Sequence, residues 1–434
     1  MPAERGSVLL LAPTPKGWGE TAFAVHLGKE LLESGWKVEA LIHDSTAQLF
    51  HGGGIAVTPL PEAMMPFLEL MLDEKIKKSR PAAVVLCDIV TSIRALKRAG
   101  AGPDALFRSG VPVTGIDTWN SAVSGPSMDM FGTGADALDA EAWLEKLPHR
   151  LKPVPFLNWN AGSGVCRFFP QGVPLSSAVR RHIRREFGIG YGEKLVLFCT
   201  SAWQYGPYRN RDGERLAAAV PPLISKYLSS LGPSVHLVHI GPTRYDGLAL
   251  GADRYHWMPP QGADIFEMLM RSADLFLSLN ISGVTTIRAV AAGLPVVVLG
   301  NSCQARTLDE LGEFVGGPLH PIVQESASAL LPLYPFTLWP LGLQSFLEPT
   351  LKENPFLETL RRIELLDGVQ VVETIRELLF SQAAVYKLRR RQADFKKRLM
   401  ELPTPSTAFE AALSRITGSP LTYETAQCSP DRSL

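Results

Sequence analysis

Residues 279–288, LNISGVTTIR, join the end of an apolar run to a helical pattern through hydroxyls and a glycine. Ser282, Gly283, Thr285 and Thr286 sit where a helix N-terminus leaves backbone N–H groups unpaired. Amides and hydroxyls donate to phosphate oxygens, and the helix dipole adds positive potential, so the stretch suits a diphosphate. The same spacing also describes an ordinary N-cap followed by a turn glycine. Arg288 follows one turn later. Its guanidinium only donates, so it can clamp an anion or pair with a neighbouring carboxylate as a structural device.

Such a loop needs a strand before it and a helix after it, and the chain supplies that alternation twice. SVLLLA (7–12), a Pro/Gly loop (13–20), the helix TAFAVHLGKELLES with Phe23, Leu27 and Leu31 on one face, and KVEALIH (37–43) open the first series. AAVVLCDI (82–89) and VPVTGID (111–117) continue it, each closing on an aspartate. Loops, a surface helix near 138–147 and a crossover, KPVPFLNWN, fill the Gly-, Pro- and Trp-rich stretch 120–175. KLVLFCTS (194–201), a helix at 213–229, SVHLVHIG (234–241), a helix at 264–272, LFLSL (275–279), a helix at 284–292 and PVVVLG (295–300) form the second series. The pattern predicts an α/β fold of two doubly wound, Rossmann-like domains with parallel sheets. Periodicity weakens over 306–365, a long charged helix spans 380–400, and the Ser/Thr/Pro-rich end reads as disordered.

The 434 residues suffice for two cores, and 46% hydrophobic with 20% charged residues is ordinary for a globular chain. Lys plus Arg and Asp plus Glu total 43 each, so no global field favours nucleic acid or an anionic membrane. The basic runs at 180–186 and 387–398 fall in helical patterns and read as solvated faces. Five scattered cysteines and no metal-binding spacing point to a reduced, metal-free, cytoplasmic protein. The short first strand is too brief for a secretory segment, and no run is long enough to span a membrane.

Several motifs fail on geometry. GWGETA (17–22) matches a dinucleotide fingerprint formally, but four residues separate its first glycine from the strand. HGGG (51–54) has no companion nucleophile elbow and reads as a turn, and GKE (28–30) lacks the rest of a phosphate loop. The aromatic cluster at 334–346 suits core or a lid better than a sugar platform.

The segment YHWMPPQGADIFEMLMRSADLFLSLNISGVTTIRAVAAGLPVVVLGN (255–301) resembles the donor-binding segment of GT-B glycosyltransferases, in particular the peptidoglycan N-acetylglucosaminyltransferase-like group. Met258–Pro260, Ala273–Leu275, Ser282–Thr286 and Gly293–Val296 carry that likeness, and GWGETAFAVHLGKELLESGWKVEALIH (17–43) is similar to the family's first loop and helix. The resemblance implies two domains across a central cleft: an acceptor domain at 1–175 and a nucleotide-sugar donor domain at 176–380. Helices at 381–417 would follow, with the possibility of crossing back, before the tail at 418–434. It implies that Ser282, Gly283, Thr285 and Thr286 contact the donor diphosphate, and that Thr200, Ser201 and Gly241 line the nucleotide side. Arg288 stands where the family usually has a glutamate that grips ribose hydroxyls. Gly17, Trp18 and Gly19 would form an acceptor-side loop.

The implied activity moves a sugar from a nucleoside-diphosphate sugar, as co-substrate with no other cofactor and no metal, to a small-molecule or lipid-linked acceptor. That step needs a base, for which Asp117 and Glu20 are the candidates, while Arg209 and Arg211 could add positive charge. The rival readings are a nucleotide-sugar epimerase or hydrolase, which would want more carboxylates in the cleft, and a non-catalytic GT-B-like scaffold or activator.

Overall fold

Central strands buried along nearly their whole length organise the molecule, as parallel sheets covered on both faces require. The computed structural model describes residues 5–418 except 16, 51–53, 119–126, 129–137, 140, 155–161, 170–174, 206–210 and 341. Residues 51–53 of the HGGG motif, Arg209, Cys428, the tail beyond 418 and most of the 120–175 stretch lie outside the described residues.

The first series is β1 (Ser7–Ala12), α1 (Trp18–Glu33), β2 (Lys37–His43), β3 (Ala56–Leu60), α2 (Leu68–Ser79), β4 (Ala83–Leu86), α3 (Ile89–Arg98), α4 (Pro103–Phe107) and β5 (Val113–Gly115). Its five strands pair in the order β3-β2-β1-β4-β5, all parallel. The order reverses between β1 and β4, so the crevice beyond their carboxyl ends lies at the starts of α1 and α3.

Shorter pieces follow: an antiparallel pair β6 (Ser127–Met128) and β7 (Leu138–Asp139), α5 (Glu141–Glu145), a parallel pair β8 (Lys152–Val154) and β9 (Val165–Arg167), and α6 (Ser177–Glu186). The second series is β10 (Lys194–Cys199), α7 (Arg211–Ser229), β11 (Val235–Ile240), β12 (Tyr255–Met258), α8 (Ala263–Ser272), β13 (Leu275–Ser278), α9 (Val284–Ala291) and β14 (Val296–Gly300). Then come α10 (Leu308–Val315), α11 (Pro321–Leu330), α12 (Gln344–Leu351), β15 (Arg361–Glu364), α13 (Gly368–Phe380), α14 (Gln382–Met400) and α15 (Pro405–Thr417). Six parallel strands pair as β12-β11-β10-β13-β14-β15, with the reversal between β10 and β13. The chain is thus α/β, with two Rossmann-like doubly wound domains facing a cleft.

One buried cluster continues from Leu10 and Val85 of the first sheet and Leu27 of α1 to Leu197, Phe276 and Val296 of the second sheet. Separate clusters fill the far faces, around Leu9 and Leu72 in one domain and around Tyr227 and Trp339 in the other. α14 packs on the second domain, where Gln392 Nε2 donates to the carbonyls of Leu294 (2.8 Å) and Thr359 (3.0 Å). α15 lies on α1: Trp36 Nε1 donates to Glu410 Oε1 at 3.1 Å, and the Ser406 amide donates to Glu30 Oε2 at 3.1 Å.

Two expectations need correction. α1 starts at Trp18, not after a loop ending at 20, because the Gly17 carbonyl accepts both the Thr21 amide (3.0 Å) and the Thr21 hydroxyl (2.8 Å). The stretch 306–365 holds three helices and the strand β15, whose pairing to β14 is a tertiary contact that local periodicity does not announce.

Candidate functional site

Both switch points open onto one cavity of about 830 Å³. On the side of the second sheet, β13 ends at Ser278 and the chain turns through Asn280–Gly283 into α9, whose N-cap Gly283 offers no side chain to its free amides. Ser282, Gly283 and Thr285 line the cavity, with Asn280. The Ser282 hydroxyl and Asn280 Oδ1 are buried with no hydrogen-bond partner among the described residues.

Thr286 behaves differently. It is fully buried, and its hydroxyl donates to the Asn280 carbonyl (2.8 Å) beside Ser278 Oγ (2.9 Å). The expected diphosphate contact from Thr286 is therefore corrected: successive helical residues point about 100° apart, so Thr285 faces the cavity while Thr286 fixes the loop from beneath.

Thr200 and Ser201, just past β10, also line the cavity. The Ser201 amide donates to Gln204 Oε1 at 2.5 Å, and Gln204 Nε2 donates to the Trp339 carbonyl at 2.8 Å, so the loop is tied to a buried aromatic. Gly241 is not a wall residue. A Cβ there would stand 2.0 Å from Thr200 Oγ1 and 2.7 Å from His239 Nε2, so its role is to leave them room. His239 is buried between the Tyr245 ring, stacked at 4.8 Å, and the Phe198 ring at 5.4 Å. Burial pulls its pKa down to about 3, so the imidazole is neutral.

Arg288 lines the cavity and pairs with Glu267 Oε2 at 2.6 Å, its guanidinium lying 5.1 Å from the centre of the Phe266 ring. Arg271 grips the other oxygen, through Nε at 2.8 Å and Nη2 at 2.6 Å. A carboxylate therefore stands in this wall after all, supplied by Glu267 of α8 and held between two arginines. Arg211 begins α7.

From the first domain, Gly17 caps α1, and Trp18, Gly19 and Glu20 form its first turn; all four line the cavity. A Cβ on Gly19 would stand 3.6 Å from Val284 Cγ2, so the N-terminus of α1 faces that of α9. Glu20 has its pKa raised to about 7, first by burial and then by the charge of Asp88. Asp88 ends the β4 segment and caps α3, its Oδ1 accepting the Thr91 amide at 2.8 Å and its Oδ2 accepting the Thr118 hydroxyl. Burial raises its pKa as well, against those hydrogen bonds.

Asp117 does not join them. Its side chain is buried away from the cavity lining, with Oδ2 3.6 Å from Arg150 Nη1. Side chains alternate along an extended segment, and here Thr118 takes the cavity face. The carboxyl that stands beside Glu20 is Asp88, which in the sequence is a plain strand-end aspartate although it closes β4 at the switch point. His26 lines the cavity too, its ring 5.5 Å from Phe168, while Phe336 and Trp339 of the aromatic cluster are core and Leu338 alone of the three reaches the wall. Among the described residues no group of three or more His, Cys, Asp or Glu could hold a metal ion, and no helix is long and apolar enough to cross a membrane.

The geometry has counterparts among solved structures. Spinosyn forosaminyltransferase SpnP superposes with a TM-score of 0.53 at 14% identity, over 95% of this chain and 100% of that one. Spinosyn rhamnosyltransferase SpnG complexed with thymidine diphosphate gives 0.51 at 15% identity, over 94% and 99%. A putative UDP-N-acetylglucosamine 2-epimerase from Listeria monocytogenes gives 0.51 at 12%, over 95% and 96%. These likenesses are of fold, and the fold is GT-B. No curated protein matches the chain. One family model does match, from residue 27 inside α1 to residue 418 at the end of α15, and by that match the chain belongs to the family of unknown function DUF6365.

Proposed function

We propose that the protein is a glycosyltransferase that binds a nucleoside-diphosphate sugar against the α9 loop and transfers the sugar to an acceptor held by the first domain. The observation that carries this reading is the apposition of Gly19 to Val284, which sets two helix N-termini and the Glu20 carboxyl around one cavity. In this reading the amides of 284 and 285, the Ser282 and Thr285 hydroxyls and Arg288 meet the diphosphate charge. Glu20, deprotonated, takes the proton of the acceptor hydroxyl as its oxygen attacks the anomeric carbon. The bond from that carbon to the diphosphate breaks, and the nucleoside diphosphate leaves with the electron pair. Phe23, Leu49, Met65 and Phe169 form an apolar wall for a small-molecule or lipid-linked acceptor. A cytoplasmic enzyme needing no metal is the form the proposal takes.

A nucleotide-sugar epimerase or hydrolase is the second reading, favoured by the Glu20–Asp88 pair in the cleft. Thermal denaturation with a panel of nucleoside diphosphates and nucleotide sugars tests the proposal. At least one should raise Tm, since a ligand at a hundred times its Kd adds about 2.7 kcal/mol. Ser282→Ala/Thr285→Ala should abolish the shift and Thr286→Ala should keep it. No shift from any member would overturn the enzyme reading in favour of a scaffold, and sugar released or epimerised without acceptor would favour the second reading.

A further inference from the structure

Beneath the cavity wall runs a chain of hydrogen bonds that begins on a backbone amide. The Tyr245 N–H donates to the Tyr255 hydroxyl at 3.2 Å. That hydroxyl lies 2.9 Å from His239 Nδ1, and His239 Nε2 lies 2.8 Å from Thr200 Oγ1. An amide can only donate, so it occupies a lone pair of the Tyr255 oxygen and cannot take the Tyr255 proton. Tyr255 oxygen accepts, so its own proton is left to give, and among the described residues its one other partner is His239 Nδ1.

With Nδ1 accepting, the neutral ring carries its proton on Nε2 and donates to Thr200 Oγ1. The opposite direction would leave the buried Tyr255 proton with nothing to meet, a cost of about 1–3 kcal/mol. Stacking on Tyr245 and the absence of any Cβ at Gly241 hold the ring in this plane. Thr200 has no other side-chain partner among the described residues, and it lines the cavity.

We infer that the Tyr245–Tyr255–His239 chain makes Thr200 an obligatory hydrogen-bond donor to the cavity, so that this point of the wall selects an acceptor oxygen such as those of a diphosphate. His239 and Tyr255 are positioning residues in this scheme; neither lines the cavity. The ligand half of the inference rests on the proposed nucleoside-diphosphate site, whereas the direction of the chain stands independently of it.

Two measurements test it. In protein labelled with ¹⁵N-histidine, with the His239 signals assigned by their loss in His239→Gln, the ring should carry its proton on Nε2. Tyr255→Phe, which removes the proton that holds Nδ1 as acceptor, should admit the other tautomer. A wild-type ring protonated on Nδ1 would overturn the inference.

Calorimetric titration with uridine and thymidine diphosphates tests the ligand half. Thr200→Val should weaken the diphosphate that binds by about tenfold or more, as expected for a hydrogen bond to a charged group, while Thr200→Ser restores it. Tyr255→Phe should weaken it about threefold to tenfold, and the double variant should bind no worse than Thr200→Val alone. Losses that add, or a Tyr255→Phe protein that binds as wild type, would overturn the coupling. If wild type binds neither diphosphate, the ligand half falls with the nucleotide-site reading and the imidazole spectrum alone decides the chain's direction.

Discussion

Glu20 occupies a position that a folded protein would not choose for stability. Its pKa, raised from 4.5 to about 7, means that ionising it works against burial and against Asp88. Below about pH 4.5 both folded and unfolded chains hold the proton, so no penalty exists. Between 4.5 and 7 the unfolded chain releases a proton that the folded one retains, so stability falls as pH rises through the folded pKa. Glu20→Gln should therefore be more stable than wild type above pH 7 in urea unfolding, with the difference gone near pH 4.

The same substitution should lower turnover by about 10²–10⁴ while nucleotide affinity is kept. Wild-type kcat/KM should rise with pH through about 7, as the base of the free enzyme deprotonates. Asp88→Asn removes a raising charge and should move that limb to lower pH, whereas an unmoved limb would sink the assignment of Glu20 as base. Glu20 stood out in the sequence because it follows Gly17 and Gly19 in the Pro/Gly stretch after β1. Asp88 did not, because its significance lies in a neighbour 68 positions away.

Among the elements, the small pair β8 and β9 shows how one backbone conformation can constrain the segment that carries a carboxylate's partner. Gly164, with φ of +87°, accepts the Lys152 amide at 2.7 Å, and a Cβ on it would stand 2.0 Å from the Arg150 carbonyl oxygen. Arg150 is the residue beside Asp117. Gly164→Ala should cost roughly 2 kcal/mol or more, since it combines an unfavourable φ with a backbone clash that cannot relax by rotamer change. Chemical denaturation reads this directly, and a cost below about 0.5 kcal/mol would show that the pair is not held as described. The core strands of both sheets could be read from their apolar runs. β3 and β15 could not, since their strand character comes from parallel pairing to β2 and β14. Half-buried edges carry a weaker pattern than strands covered on both faces.

For the whole molecule, the cleft is the candidate site, and α1 meets α9 across it. Gly19 leaves only 3.6 Å between a hypothetical Cβ and Val284, so a larger side chain would fill the space where the proposed donor and acceptor would meet. Gly19→Leu should weaken binding of both donor and acceptor while changing stability by no more than about 0.5 kcal/mol, since it faces the cavity rather than core. Parallel titration and unfolding experiments check this; unaltered binding would place the reacting groups elsewhere. α15 contributes at the same scale, because its Glu410 and Ser406 bond to Trp36 and Glu30 near the far end of α1. A helix from the end of the sequence thereby helps to fix the orientation of the helix whose other end opens the cavity.

The sequence by itself determined the two alternating α/β series and the hydroxyl-rich loop at a helix N-terminus. Those features are encoded in short-range periodicity and in residue chemistry within one or two turns. Only the tertiary structure decided that Thr286 turns inward while Thr285 faces the cavity, that Glu267 answers Arg288, and that Asp88 rather than Asp117 stands beside Glu20. Each of those outcomes depends on the phase of a side chain relative to a neighbour distant in the chain, and a shift of one residue along a strand reverses it.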